Sequence, residues 1–160
     1  MNKLFAASTV ALIASLSAAN AQTEIQWWHA MGGELGAKLE EITKGFNDSQ
    51  DEYTVVPSYK GTYPETMTAA IAAFRAQQQP AIVQVFEVGT GTMMAAGRAV
   101  KPTHELLSEA GVQVDFSDYL PPVRGYFQTN DGRQMSMPFN SSTAVMYWNK
   151  DAFRRAGLDP

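Results

Sequence analysis

Glu87 is the residue whose position first asks for a chemical explanation. It stands near the end of AIVQVFEV (81–88), an otherwise apolar run, directly before Gly89-Thr90-Gly91-Thr92. A carboxylate at the end of such a strand projects into a crevice. There it can accept hydrogen bonds from sugar or polyol hydroxyls, or act as a general acid. Its competing uses are to cap the next helix or simply to face solvent. The strand-end position favours function, because open α/β sheets bind ligands beyond the carboxyl ends of their strands. The GTGT turn could present N–H groups to an anion at a helix N-terminus. No Gly-Lys-Ser/Thr follows it, however, and a tight turn with a threonine cap is the better reading.

Other candidates gather at other predicted strand ends. Trp27, Trp28, Tyr59 and Tyr63 offer flat faces with polar tips, suited to a sugar ring or to closing an apolar crevice. Trp27 and Trp28 are adjacent in a strand, so they cannot both face inward on one side of the sheet. Ser141 and Ser142 lack the G-x-S-x-G frame of a nucleophile elbow and remain candidate ligand hydroxyls. Asn140-Ser141-Ser142 and Asn47-Asp48-Ser49 also match the short glycosylation pattern, which is common by chance. His29 and His104 are the only histidines, neither lies in H-E-x-x-H, and there is no cysteine, so no compact zinc motif exists. His29 reads as a strand-end packing residue and His104 as a surface residue in a helix's first turn.

The elements that position these groups follow from periodicity. EIQWWHA (24–30), YTVVPSY (53–59) and AIVQVFEV (81–88) read as strands, the last continuously apolar as if covered on both faces. Between them, GELGAKLEEITKGF places Leu35, Leu39, Ile42 and Phe46 on one helical face. The segment opened by Pro64 places Met67, Ile71 and Phe74 likewise. Strand–helix–strand units of this length imply parallel pairing with right-handed crossovers. A helix follows the GTGT turn, and KPTHELLSEAG forms another with Gly111 as C-cap. DYLPPVRGYFQT reads as loop, Asn130-Asp131-Gly132 as a hairpin turn, TAVMYW (143–148) as a strand and DAFRRAG as a helix stopped by Gly157 and Pro160. The fold class is α/β: a mostly parallel sheet flanked by helices.

Bulk properties narrow the setting. Residues 1–21 carry one lysine, a 13-residue apolar stretch and Ala19-Asn20-Ala21, the order of a cleaved signal peptide. The mature chain is then expected to start at Gln22, with no stable membrane insertion after cleavage. Its 11 basic and 16 acidic residues (the full chain's 12 and 16 less Lys3) give a net charge of −5. No basic stripe points to nucleic acid. An exported chain without cysteines stabilises itself by core burial rather than by disulfide staples.

Read together, WWHAMGGELG, VPSYKGTY, the FEVGTGTMM segment, FNSST and YWNKDAFRRAGLDP resemble the N-terminal lobe of the extracellular solute-binding proteins of ABC importers. The branch it resembles most captures sn-glycerol-3-phosphate, and glycerophosphodiesters are a related ligand class. The resemblance implies that Tyr63 donates its hydroxyl to the ligand, that Glu87 holds the glycerol hydroxyls and that Ser142 hydrogen-bonds the ligand at its phosphate. It implies a periplasmic protein without cofactor that delivers a small-molecule ligand to the transmembrane subunits of a permease. Members have two lobes that close by hinge motion, so residues 22–160 are expected to be one lobe, with the second absent. A phosphate binder wants a cation, ideally a bidentate arginine. Arg75, Arg98, Arg124 and Arg133 match no family motif, and that cation is expected beyond Pro160. Two alternatives stand beside this: a binder of another sugar or oligosaccharide, and a secreted glycoside hydrolase with Glu87 as acid, for which Asp115 and Asp118, in a loop region, offer no evident second carboxylate.

Overall fold

The computed structural model describes residues 22–159; the expected signal segment, 1–21, lies outside them. The chain divides into two compact units, one ending at Phe86 and the next beginning at Glu87.

In the first unit, β1 (Thr23–His29), α1 (Gly33–Asp48), β2 (Tyr53–Tyr59), α2 (Tyr63–Arg75) and β3 (Ile82–Val83) build a parallel sheet in the order β2-β1-β3. Pairing runs from Thr23↔Tyr53 to His29↔Tyr59 on one side of β1, and covers only Trp27↔Ile82 and Trp28↔Val83 on the other. The chain moves outward from β1 through α1 and returns across β1 through α2. Two crossovers of the same hand therefore put the helices on opposite faces.

The helices meet the sheet through faces that hydrophobicity alone does not mark. On α1 the buried residues are Leu39 and Thr43, with Gly36 and Asn47 half-buried on the same stripe. Leu35, Ile42 and Phe46, expected beside Leu39 in the core, are exposed. At about 100° per residue the two stripes lie roughly a quarter-turn apart. Small and hydrogen-bonding residues win the contact because they allow close approach. A Cβ on Gly36 would lie 2.8 Å from Met31 O, and the Thr43 hydroxyl donates to Leu39 O at 2.9 Å. In α2 likewise, Thr66 and Ala70 are buried, while Ile71 and Phe74 are exposed and Met67 is half-buried. A capping box starts this helix. Glu65 Oε2 accepts from Thr62 N at 2.6 Å and from Thr62 Oγ1 at 2.8 Å.

The outer edge of β2 is closed by side chains. Gln50 Nε2 donates to Tyr53 O and its Oε1 accepts from Tyr53 N, both at 2.7 Å. Asn47 does the same for Val55, donating to its O at 2.9 Å and accepting from its N at 2.8 Å. Pro57, the next residue facing that edge, has no N–H to offer. The amide of the Asn47-Asp48-Ser49 pattern is thus committed to the sheet.

The third strand is shorter than expected, and Glu87 does not end it. β1 stops at His29, so a longer β3 has no ladder to join. Gln84 N donates to Trp28 O at 2.8 Å, and the buried Gln84 side chain accepts from Ala30 N at 3.0 Å. The chain leaves the sheet there, and Glu87 opens a helix.

The second unit contains α3 (Glu87–Met94), α4 (Thr103–Ala110), α5 (Pro121–Tyr126) and α6 (Lys150–Ala156), with 3₁₀ turns at Gly97–Ala99 and Phe116–Asp118. The GTGT segment is helical, inside α3, rather than a turn. Pro121 and Pro122 start a helix where a loop was expected, proline being suited to a first helical turn. Asn130-Asp131-Gly132 does reverse the chain. Gly132 takes φ 83°, and Thr129 N donates to Arg133 O at 3.0 Å beside a single antiparallel bridge, Gln128↔Gln134. α6 forms as read, with Asn149 Oδ1 accepting from Ala152 N at 2.9 Å and Gly157 closing it at φ 70°. TAVMYW (143–148) is not a strand. Among the described residues no neighbour pairs with it, and Tyr147 is 93% exposed. Strand propensity without a ladder partner does not make a strand.

Candidate functional site

The three residues that the resemblance assigns to the ligand fall in both units, Tyr63 in the first and Glu87 and Ser142 in the second. Tyr63 is the first residue of α2 and is half-buried. Its ring stacks on Phe86 with centroids 5.5 Å apart and planes at 24°. Glu87 is the first residue of α3, exposed, with its carboxylate in no ion pair among the described residues. The Tyr126 hydroxyl donates to the Glu87 backbone oxygen at 2.6 Å. That bond fixes the start of α3 without using the Glu87 side chain. Ser142 is exposed on the extended segment between Pro138 and α6. Glu87 and Ser142 share the second unit, but no hydrogen bond joins them among the described residues.

Sequence reading passed over Tyr126. Only its spacing from Glu87 across α5 shows its use, and α5 itself was not anticipated.

At the carboxyl ends of β1 and β2 lies a cleft of about 350 Å³, lined by His29, Met31, Gly36, Glu40, Pro57 and Tyr59 among others. His29 is 4% exposed and packs at the strand end as expected, its ring centroid 6.0 Å from that of Tyr59. Met31 N donates to its Nδ1 at 3.3 Å, which requires that nitrogen to be unprotonated. Burial lowers the pKa of this imidazole from its usual 6.5, with the Glu40 carboxylate partly opposing. The unfolded chain therefore binds a proton below pH 6.5 that the folded chain resists, so His29 adds stability that is complete above that pH and fades as pH falls through it. Urea denaturation between pH 5 and 7.5 should show stability rising with pH, and His29→Gln should flatten that rise. An unchanged slope in the variant would remove His29 as its source.

His104, expected on the surface, is half-buried. Its Nδ1 lies 3.0 Å from Gln134 O, and its backbone N–H donates to the same oxygen at 2.9 Å. Trp27 and Trp28 divide between the two sheet faces as strand alternation requires. Trp27 lies toward His29, with centroids 6.2 Å apart, and Trp28 lies under the Lys60 ammonium, 4.3 Å from the ring centroid. Asp115 caps the turn at Phe116–Asp118 by accepting from Ser117 N at 2.9 Å, and its pKa is lowered chiefly by the hydrogen bonds to Ser117. Among the described residues no group of three or more potential metal ligands converges. No helix among them is long and apolar enough to cross a membrane.

Residues 41–160 match the family described as bacterial extracellular solute-binding protein. The chain is 51% identical over 157 residues to the sn-glycerol-3-phosphate-binding periplasmic protein of Rhizobium meliloti (strain 1021), covering 98% of this chain and 36% of that one. It is 49% identical over 158 residues to the protein of the same name from Escherichia coli O1:K1 / APEC, again covering 98% and 36%. The chain thus spans about a third of the length of the curated relatives it matches. Among solved structures, a protein with mannotriose bound aligns at TM-score 0.62 and 18% identity, covering 86% of this chain and 34% of that one. A de novo designed cysteine esterase aligns at 0.65 and 13%, covering 87% and 33%. At those identities the likeness concerns the fold alone. The family match covers three-quarters of the sequence, and the chain belongs to the bacterial extracellular solute-binding proteins.

Proposed function

We propose that this chain is the first lobe of the periplasmic substrate-binding component of an ABC importer. The whole protein captures sn-glycerol-3-phosphate and hands it to the permease's transmembrane subunits. The observation that carries the reading is the 51% identity, over nearly the whole chain, to a protein named for that ligand and compartment. The three residues the resemblance assigns to the ligand support it. Tyr63 and Glu87 each stand at the start of a helix, and Ser142 is open to solvent. The ligand chemistry fits. Glycerol hydroxyls donate to the Glu87 carboxylate, while phosphate oxygens accept from hydroxyl donors. Residues 22–160 form one lobe of a two-lobed protein, in keeping with the third of the relatives' length that the chain spans.

The protein is a binder rather than a hydrolase. The relatives it matches are named as binding proteins, and Asp115, one of the two nearby acidic candidates, caps the turn at Phe116–Asp118. The test is calorimetry of the two-lobed protein against sn-glycerol-3-phosphate, glycerol, maltose and mannotriose. Tight binding of the phosphate ester alone is the expected result. A preference for either sugar would overturn the ligand assignment. Residues 22–160 by themselves should bind the ester at least about a hundredfold more weakly, half of the clamp being absent.

A further inference from the structure

β3 leaves one side of the sheet open. Gln84 N donates to Trp28 O at 2.8 Å, so the backbone polar groups of Gln84 turn toward β1. Those of successive strand residues point to opposite sides. The N–H and C=O of Val83, whose partner on β1 is Trp28, therefore turn away from β1. Among the described residues no hydrogen bond reaches Val83 on that outer side. Ile82 beside it is exposed. From Ala76 to Phe86 there is no charged residue, and Pro80 stands outside the strand. Charge and proline are what keep an edge from pairing with another chain, and this edge carries neither.

The second unit contains the complementary piece. Thr143-Ala144-Val145-Met146-Tyr147-Trp148 has the composition of a strand and belongs to no ladder. None of its backbone N–H or C=O groups is in a hydrogen bond among the described residues. Val145, Met146 and Tyr147 are 68%, 84% and 93% exposed. From Gln134 to Asn149 there is no charge. An uncharged run of six strand-forming residues, with no proline inside it, is the kind of segment that pairs between molecules.

We propose that residues 143–148 of one copy of this chain add as a strand to the outer edge of β3 in a second copy. The partner is a second copy because each molecule carries one such segment and one such edge, so donor and acceptor are always present in equal amounts. The β2 side does not compete. Its outward groups at Tyr53 and Val55 are already held by Gln50 and Asn47. One edge and one segment per molecule make the contact heterologous: two copies exchange segments and close, or a series runs on. Backbone hydrogen bonds carry the pairing, and alternate side chains of the segment, Val145 and Tyr147 against Met146 and Trp148, fall on opposite faces. The inference is independent of the ligand.

Sedimentation velocity on the chain purified after export tests this. The sedimentation coefficient should rise with protein between about 1 and 200 µM, the range in which open edges associate. Met146→Lys places a charge in the middle of the segment, at an exposed position. Val83→Pro removes the outward N–H while leaving Gln84 its bond to β1. Each variant alone should bind itself at least about tenfold more weakly than wild type. Mixed in equal amounts they should form a one-to-one pair, because the first keeps an intact edge and the second an intact segment. A wild-type chain that stays monomeric over the range, association that either variant leaves unchanged, or a mixture no more associated than its components overturns the proposal. If Val83→Pro does not fold, Ile82→Lys charges the same edge at an exposed position.

Discussion

Glu87→Gln in the two-lobed protein should weaken sn-glycerol-3-phosphate binding roughly 10- to 150-fold, the cost of losing hydrogen bonds to a charged acceptor. Its melting temperature should stay within about two degrees, because the side chain is exposed and the fold loses only a first-turn charge on α3, worth about 0.3–1 kcal/mol. The separation of the two effects follows from the local structure. The Glu87 side chain is exposed and pairs with no cation among the described residues, and Tyr126 anchors the residue through its carbonyl oxygen. The carboxylate is therefore available to a ligand without being needed by the fold. Glutamine keeps the size and can still accept one hydrogen bond, so what is lost is the charge. Calorimetry and a thermal melt on the same preparation decide the matter. An unchanged dissociation constant would remove Glu87 from the site. A fall in melting temperature matching the loss of affinity would make its role structural.

Leu39→Ala should destabilise the first unit by about 2–4 kcal/mol, whereas Leu35→Ala should cost less than about 1 kcal/mol. Both leucines lie on the same apolar stripe of α1, but Leu39 is 1% exposed and Leu35 is 64% exposed. A leucine sealed between helix and sheet leaves a cavity when truncated. One facing solvent leaves none. The measurement is urea denaturation followed by tryptophan emission in a Trp148→Phe background, so that only Trp27 and Trp28, both in the first unit, report. Equal losses would mean that the hydrophobic stripe, rather than the Gly36–Leu39–Thr43 stripe, carries the packing.

That contrast shows what was legible in the sequence and what was not. β1, β2, α1, α2, α4 and α6 were readable because period, caps and breakers agree: Pro64 inside the start of α2, Gly111 and Gly157 in left-handed C-caps. The buried helix faces were not readable, because close contact with the sheet selects Gly36, Thr43, Thr66 and Ala70 over larger neighbours. Strand length escaped for a different reason. AIVQVFEV has the composition of a full strand, yet β1 offers it pairing at only two positions. TAVMYW has no partner at all among the described residues, and pairing is a property of the neighbour. Tyr63, Glu87 and Ser142 stood out as residues, but the ligand roles given to them come from the resemblance alone. The residues alone had placed Glu87 on a strand, where the structure has the first turn of α3.

The side chains of Gln50 and Asn47, together with Pro57, give the sheet a polarity of assembly. Each backbone group they occupy is one that an incoming strand would need, so β2 is a terminus at which accretion stops. Among the described residues no side chain bonds the outer edge of β3. Any further strand, whether from more of this polypeptide or from another molecule, can therefore join only past β3. Asn47→Ala would free only the N–H and C=O of Val55, so the β2 border opens fully only when Gln50 is replaced as well.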